Sequence, residues 1–320
     1  MTNITLPQGL LQRPATRDDA QSIFDINIEH ELAEQKEGES DSRIDDVFEL
    51  WDDQRTNLAV DTYAITTPEG TLIGYTGVAT TSYGAMLDVH TNVRRAYPDA
   101  ANIAAYLLDF AATRARILLD AKPELPRKLY TWSFWQEMTQ LLEKHGFSAA
   151  SSDYRMETTL NEEPPAPRSL EGIIIRPFAR GQEERAVYNV IAEAFPDIDG
   201  KPYRPSYDDW HQNVFVKRAS HDPSMFYVAL DGDQVVGITL CRTYPENDEG
   251  FISQVAVRRA WRKRGIATGL LLTAFGEYYR RGMRHILLDV DTANPTGAHE
   301  LYRRVGMHIQ SRVNYMTKEV

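Results

Sequence analysis

The sequence predicts an α/β fold with a mixed sheet and helices on both faces, built twice in tandem. Two observations carry that expectation. The chain has 320 residues, more than one hydrophobic core usually organises. Four short segments also recur in the same order. Arg13-Pro14 returns at Arg176-Pro177 and Gly74-Tyr75 at Gly237-Ile238, both at a spacing of 163. Val93-Arg94-Arg95-Ala96-Tyr97 returns at Val257-Arg258-Arg259-Ala260-Trp261 at a spacing of 164, and Leu141-Leu142 with Gly146-Phe147 returns at Leu301-Tyr302 with Gly306-Met307 at 160. Ordered recurrence of this kind is the mark of a duplication. Each half shows the order strand, helices, hairpin, strand, helix, strand, helix.

The boundary falls in the polar, proline-rich run Asn161-Glu162-Glu163-Pro164-Pro165-Ala166-Pro167-Arg168-Ser169, the composition of a stiff linker. Domains are therefore expected over residues 1–160 and 172–320, with 161–171 between them. In the second half, Val255-Ala256-Val257 reads as a short apolar strand running into a basic turn at Arg258 to Gly265. A helix follows, because Ile266, Leu270, Ala274 and Tyr278 recur every four residues on one face, and Gly282 supplies a stop. Ile286 to Asp291 reads as the next strand. Asn294-Pro295 then marks a helix start, N-cap followed by proline at the first helical position, and Gly306 closes that helix.

A strand, a basic glycine-bearing turn and a helix N-terminus together make an anion site. Backbone N–H groups converge there, Gly265 permits close approach, and the positive end of the helix adds attraction. The turn matches neither the G-x-G-x-x-G of dinucleotide sites nor the G-x-x-x-x-G-K-[ST] of P-loops, which argues against nucleotide hydrolysis.

Arg262-Lys263-Arg264-Gly265-Ile266-Ala267 resembles the R/Q-x-x-G-x-G/A signature of the GCN5-related N-acetyltransferases (GNAT), and Asn294, Ala298, Leu301-Tyr302 and Gly306-Met307 resemble that family's closing segment, with Met307 in a slot that is usually phenylalanine. The tandem layout is similar to the mycothiol synthase-like two-domain acetyltransferases. The resemblance implies two GNAT domains, acetyl-CoA as cofactor and an amine acceptor. It implies that Arg262, Lys263, Arg264, Gly265, Ile266, Ala267 and Thr268 cradle the pyrophosphate, with Asn294 also on the cofactor. It further implies that the pantetheine arm pairs with Val255, Ala256 and Val257, and that Tyr302 lies near the thioester sulfur. The chemistry asks for the same parts. The amine must be uncharged to attack, and the departing thiolate needs a proton, which a neutral tyrosine can give. For the base, Glu249 and Asp289 stand level, with ordered water carrying the proton if neither reaches. The family commonly places a glutamate on the strand leading to Val255, but the matching positions here are Phe251 and Ser253. The alternative to catalysis is a sensor or scaffold that binds coenzyme A without turnover.

The halves differ at the turn. Aligned on the strand, Arg262, Gly265 and Ala267 face Pro98, Ala101 and Ile103, and Tyr302 faces Leu142. Losing an amide donor, a glycine and a proton donor predicts a first half that binds no cofactor. The acceptor wall, or else the domain core, is expected from Phe195, Tyr203, Tyr207 and Trp210.

Charge is uneven. The net formal charge is −11, yet residues 258–285 hold eight Arg or Lys against one acid, as suits a polyanionic ligand. Residues 29–61 invert this, with twelve acids against three bases, and nucleic acid is a poor partner for such a chain. The single cysteine, Cys241, sits in an apolar strand and is expected to be a packed thiol, so no disulfide or zinc cluster is available. The eight histidines show no metal spacing. With no run of eighteen apolar residues and no secretory signal pattern, no membrane partner and a cytoplasmic location are expected, the protein being a monomer or a homodimer.

Overall fold

The computed structural model describes residues 5–34, 44–52, 56–81, 86–133, 136–195, 205–217, 220–293 and 297–320. In chain order the elements begin with β1 (Leu11–Arg13), α1 (Ala20–Glu34), α2 (Ile44–Trp51), α3 (Leu58–Asp61), β2 (Thr62–Thr66), β3 (Leu72–Thr81), β4 (Met86–Val93), α4 (Ala100–Ala121), β5 (Lys128–Ser133) and α5 (Gln136–Lys144). They continue with β6 (Ser148–Thr159), β7 (Ile173–Pro177), α6 (Glu184–Ala194), α7 (Tyr207–Gln212), β8 (Tyr227–Asp231), β9 (Gln234–Tyr244), β10 (Glu249–Val257), α8 (Ile266–Arg280), β11 (His285–Asp291), α9 (Ala298–Arg304) and β12 (His308–Glu319). The chain forms two units: Met1–Asp153 with Arg312–Val320, and Tyr154–Ser311.

In the first unit the strands lie in the order β1-β2-β3-β4-β5-β12. β4 is antiparallel to β3 and parallel to β5, and β5 pairs antiparallel with Asn314 to Glu319 at the end of the chain. Helix α4 lies on β3, where Leu107 and Ile103 approach Gly74 so closely that an added Cβ would stand 3.0 and 3.3 Å from them.

The second unit has the order β6-β11-β10-β9-β8-β7. The apolar face read from the sequence of α8 is the face it buries: Ile266, Leu270, Ala274 and Tyr278 are all at most 1% exposed. Burial of a side chain such as Ile266 or Leu270 contributes roughly 1.5–3 kcal/mol. Ile266 and Leu270 press on Gly237 of β9 at 3.0 and 3.2 Å from a notional Cβ, the counterpart of α4 on Gly74. Tyr278 lies over Gly250, and its single hydroxyl proton is shared between the carbonyls of Arg242 (2.9 Å) and Phe251 (3.1 Å). Trp210 is 2% exposed and belongs to the core with Phe226 and Phe275, while Phe195 and Tyr207 pack against it. Tyr203 lies outside the described residues.

The paired glycine contacts revise the alignment of the halves. Ile103 and Leu107 stand in the first unit where Ile266 and Leu270 stand in the second, so the helices match at a spacing of 163, although the preceding strands match at 164. The first unit's turn is one residue longer. Asn102, not Ala101, is therefore the counterpart of Gly265.

The Arg-Pro repeat also has a shared physical role. Arg13 donates to the carbonyl of Pro14 (3.0 Å) and to Asp19 (2.6 and 2.7 Å), and Arg176 donates to the carbonyl of Pro177 (2.9 Å) and to Glu183 (3.0 and 2.6 Å). In both units a guanidinium ties the first strand to the start of the first helical segment.

Candidate active site

The second unit opens a fork between two parallel strands. β10 pairs with β11 over three residues only, Glu249, Gly250 and Phe251 against His285, Ile286 and Leu287. On its other side β10 stays paired with β9 to its end, but the register slips between Ile252 and Gln254, leaving Ser253 as the extra residue of a bulge. A bulge twists and bends the strand that carries it. Beyond it Gln254, Val255, Ala256 and Val257 keep β9 on one side, while β11 is no longer a partner. An extended chain with amides of its own would fit that edge.

At the open end of the fork the turn closes on itself in an ordered way. Arg258 donates from Nε to the carbonyl of Val235 (2.9 Å) and pairs with Glu193, which also accepts from the N–H of Arg259 (3.1 Å). Trp261 Nε1 donates to Asp231 (2.7 Å). Arg262 is half-buried, with Nε on the carbonyl of Val257 (3.2 Å) and Nη2 on the carbonyl of Ala194 (3.0 Å). Much of its hydrogen-bonding capacity thus goes into clamping the turn to the end of α6. Lys263, Arg264 and Gly265 are exposed.

The backbone of the turn is left-handed at two positions. Lys263 has φ of 62° and Gly265 φ of 83°, two left-handed residues within one short turn, and the first of them bears a side chain that disfavours that region. Left-handed residues close together in a turn are a feature of backbone sites that collect N–H groups around an anion. Among the described residues no acceptor receives the N–H of Lys263, Arg264, Gly265, Ile266, Ala267 or Thr268, and the first bond of α8 runs from Gly269 to the carbonyl of Gly265 (2.9 Å). No side chain caps the helix at Gly265. Any other residue at Gly265 would be strained, and its Cβ would stand 3.3 Å from Leu170.

Tyr302 lies on α9, 9% exposed, with the N–H of Met307 on its carbonyl (3.1 Å). Its hydroxyl has no hydrogen-bond partner among the described residues, and burial pushes its pKa up to about 12. The first-unit counterpart Leu142 is 1% exposed and has the same bond from Phe147 (3.0 Å). Asn294 and the expected helix start at Asn294-Pro295 lie outside the described residues, and the described part of α9 begins after Gly297.

The two acids proposed for the base are not brought together. Glu249 is buried at the joined end of the fork, opposite His285. Asp289 lies on β11 beyond the last pair with β10, and both its oxygens accept from Arg155 (2.7 and 2.9 Å). At the bulge stand residues that sequence alone did not single out. His221 Nε2 is 3.4 Å from both Ser253 Oγ and Arg242 Nε, and Gln254 holds a buried side-chain carbonyl without a partner among the described residues. Only the absence of a glutamate at Phe251 and Ser253 pointed there. Cys241 is fully buried, and burial pushes its thiol up to about 12, so it is a packed group of low reactivity. Among the described residues there is no cluster of three side chains suited to a metal ion, and no helix is long and apolar enough to cross a membrane.

Residues 185–307 match the acetyltransferase (GNAT) family, over the fork, the turn and Tyr302. That segment is similar to the GNAT acetyltransferases. A GCN5-related N-acetyltransferase from Sphaerobacter thermophilus is similar over 98% of this chain and 97% of its own, with 29% identity and a TM-score of 0.81. A tandem GNAT protein from the clavulanic acid biosynthesis pathway shares the fold over 97% of this chain and 98% of its own, at 13% identity and a TM-score of 0.72. The tandem GNAT architecture expected from the repeats is thus the observed one. Mycothiol acetyltransferase of Geodermatophilus obscurus is 30% identical over 60% of the chain, and that of Thermobispora bispora 30% identical over 50%. The chain spans 64% and 55% of the lengths of these two curated relatives.

Proposed function

We propose that the protein is an acetyl-CoA-dependent N-acetyltransferase that moves the acetyl group to a primary amine of a small molecule by direct attack in a ternary complex. The observation that carries this reading is the open fork of residues 249–257 ending in a turn whose N–H groups have no protein acceptors among the described residues. The mycothiol acetyltransferases among its relatives support the same chemistry.

Acetyl-CoA would supply the acyl group in activated form, as a thioester. The N–H groups of residues 263–268 and the positive end of α8 would hold its pyrophosphate, with Lys263 and Arg264 adding charge from the surface. Arg262 would contribute chiefly by fixing the turn. Val255, Ala256 and Val257 offer the strand edge for the pantetheine amides. Tyr302, with its pKa pushed up to about 12, keeps its proton throughout the neutral range and is the donor for the departing sulfur. The ammonium proton of the acceptor passes to Asp289 or Glu249, directly or through water. Asp289 is on the separated part of β11, and Glu249 is several residues back along β10.

One site per chain is expected, in residues 154–311. Calorimetry with acetyl-CoA should give a stoichiometry near one, and release of coenzyme A across a panel of amines should exceed the hydrolytic background. Binding without turnover on any amine would favour a coenzyme A-binding sensor, and two equivalent sites would overturn the assignment of a silent first unit.

A further inference from the structure

β9 and β10 place Arg242 directly beside Phe251, next to the bulge where the fork opens. The guanidinium carbon lies 5.5 Å from the Phe251 ring centre, and Nε donates to His221 Nε2 at 3.4 Å. Ser253 Oγ stands at the same 3.4 Å from that nitrogen. The Phe251 ring and His221 thus contact the guanidinium from two sides. Neither terminal nitrogen of Arg242 has an acceptor among the described residues. Arg155 flanks the same ring at 5.9 Å, but its charge is met by Asp289 through two hydrogen bonds of 2.7 and 2.9 Å. Among the described residues the neighbourhood of the Phe251 ring is therefore left with one uncompensated, half-buried cation whose terminal nitrogens form a planar pair of donors.

That pair of side chains is not a demand of the fold. At the same register of the first unit, β3 and β4 pair Ala79 with Asp88. The duplicate folds with no cation there.

Taking the acetyltransfer reading above as given, we propose that Arg242 anchors a carboxylate of the acceptor, so that the amine acetylated belongs to a carboxylate-bearing molecule. A fixed guanidinium fork matches a carboxylate in two parallel hydrogen bonds, which selects for planar anions rather than for charge in general. His221 is the positioning residue behind it, in contact with Nε at 3.4 Å.

The test uses the full chain and initial rates of coenzyme A release with matched amines: glycine against glycinamide, β-alanine against β-alaninamide, and 4-aminobutyrate against its amide, each expressed per free amine. The wild-type protein should favour the carboxylate member of at least one pair by about tenfold or more in kcat/KM. Arg242→Gln should lower that ratio by about tenfold to a hundredfold, mainly through KM, with the amide rates and acetyl-CoA affinity retained, and Arg242→Lys should recover part of it. His221→Phe should lower the ratio less than Arg242→Gln. A wild-type preference for the amides overturns the proposal without any variant being needed, and so does a ratio unchanged by Arg242→Gln. Turnover with no amine at all overturns the acetyltransfer reading and this proposal with it, whereas turnover indifferent to the carboxylate overturns this proposal alone.

Discussion

The two units solve the same local problem, a strand that runs past its parallel neighbour into a turn and a helix, with different outcomes. In the second unit β10 slips register at Ser253 and leaves β11 after three pairs. In the first, β4 runs eight pairs with β3 without a slip, and its two pairs with β5 are Leu87 with Leu129 and Asp88 with Tyr130. The region beyond is filled by the unit's own side chains. His90 of β4 meets Trp132 of β5 edge to face at 4.1 Å between ring centres, and burial lowers the His90 pKa to about 3, so the ring is neutral. His30 of α1 reaches the carbonyl of Val93 at 2.6 Å, the group whose counterpart on Val257 is held by Arg262. The turn is used up as well. α4 begins at Ala100 after a left-handed Asp99, and the N–H groups of Asn102 and Ile103 both donate to the carbonyl of Asp99 (2.9 and 3.0 Å). A copy can keep the helix, the sheet and their contacts while the strand edge and the turn are engaged by its own groups.

The largest effect should come from the turn. Gly265→Asp places a side chain on a left-handed backbone and a negative charge where phosphate would sit, so acetyl-CoA binding by calorimetry should be lost while the circular dichroism spectrum stays folded. The matched change in the first unit, Asn102→Asp, should leave the affinity within about twofold, because no anion site is formed there. Equal damage from both would break the comparison.

Next in size is Tyr302→Phe. Removing only the hydroxyl should lower turnover by about a hundredfold with little change in acetyl-CoA affinity. Since the folded pKa lies at about 12, above the ordinary tyrosine value, the phenol stays protonated from about pH 6 to pH 9, and the ratio of wild-type to variant rates should be flat over that range. A ratio that falls as pH rises through neutrality would assign the lost step to another group.

Trp132→Ala sharpens the comparison in the other direction. It opens the first unit's filled fork but cannot restore the N–H groups of the turn, so acetyl-CoA stoichiometry should stay near one while stability falls by about 1–2 kcal/mol, since Trp132 is 37% exposed. A second binding event would show that the side-chain plug alone silences the unit.

The smallest difference is expected where the units agree. Gly74→Ala and Gly237→Ala each force a Cβ to within 3.0 Å of the facing helix, and each should cost its own unit about 1–3 kcal/mol in denaturant unfolding. Strongly unequal losses would mean that the helix–sheet contact is not a shared feature.

Local pattern was enough for the duplication, the buried face of α8 and the glycine-bearing turn ahead of it, because each is a matter of spacing, polarity or backbone permission. It also placed Cys241 in an interior strand. The alignment of Gly265 with Ala101 failed by one residue, since the longer turn of the first unit shows only when helix is packed on strand. Arg262 reads as a phosphate ligand in one dimension, but Val257 and Ala194 supply carbonyls within its reach and draw it into the turn. The bulge at Ser253 is a relation between β10 and β9, and the fork is a relation between β10 and β11, so neither exists in the pattern of any single strand. The same holds for the pairing of β5 with residues 314–319 and for the meeting of Arg242, Phe251 and His221. Hydrogen-bond register and side-chain proximity between distant segments are decided by which strands become neighbours, and only the tertiary structure makes that choice.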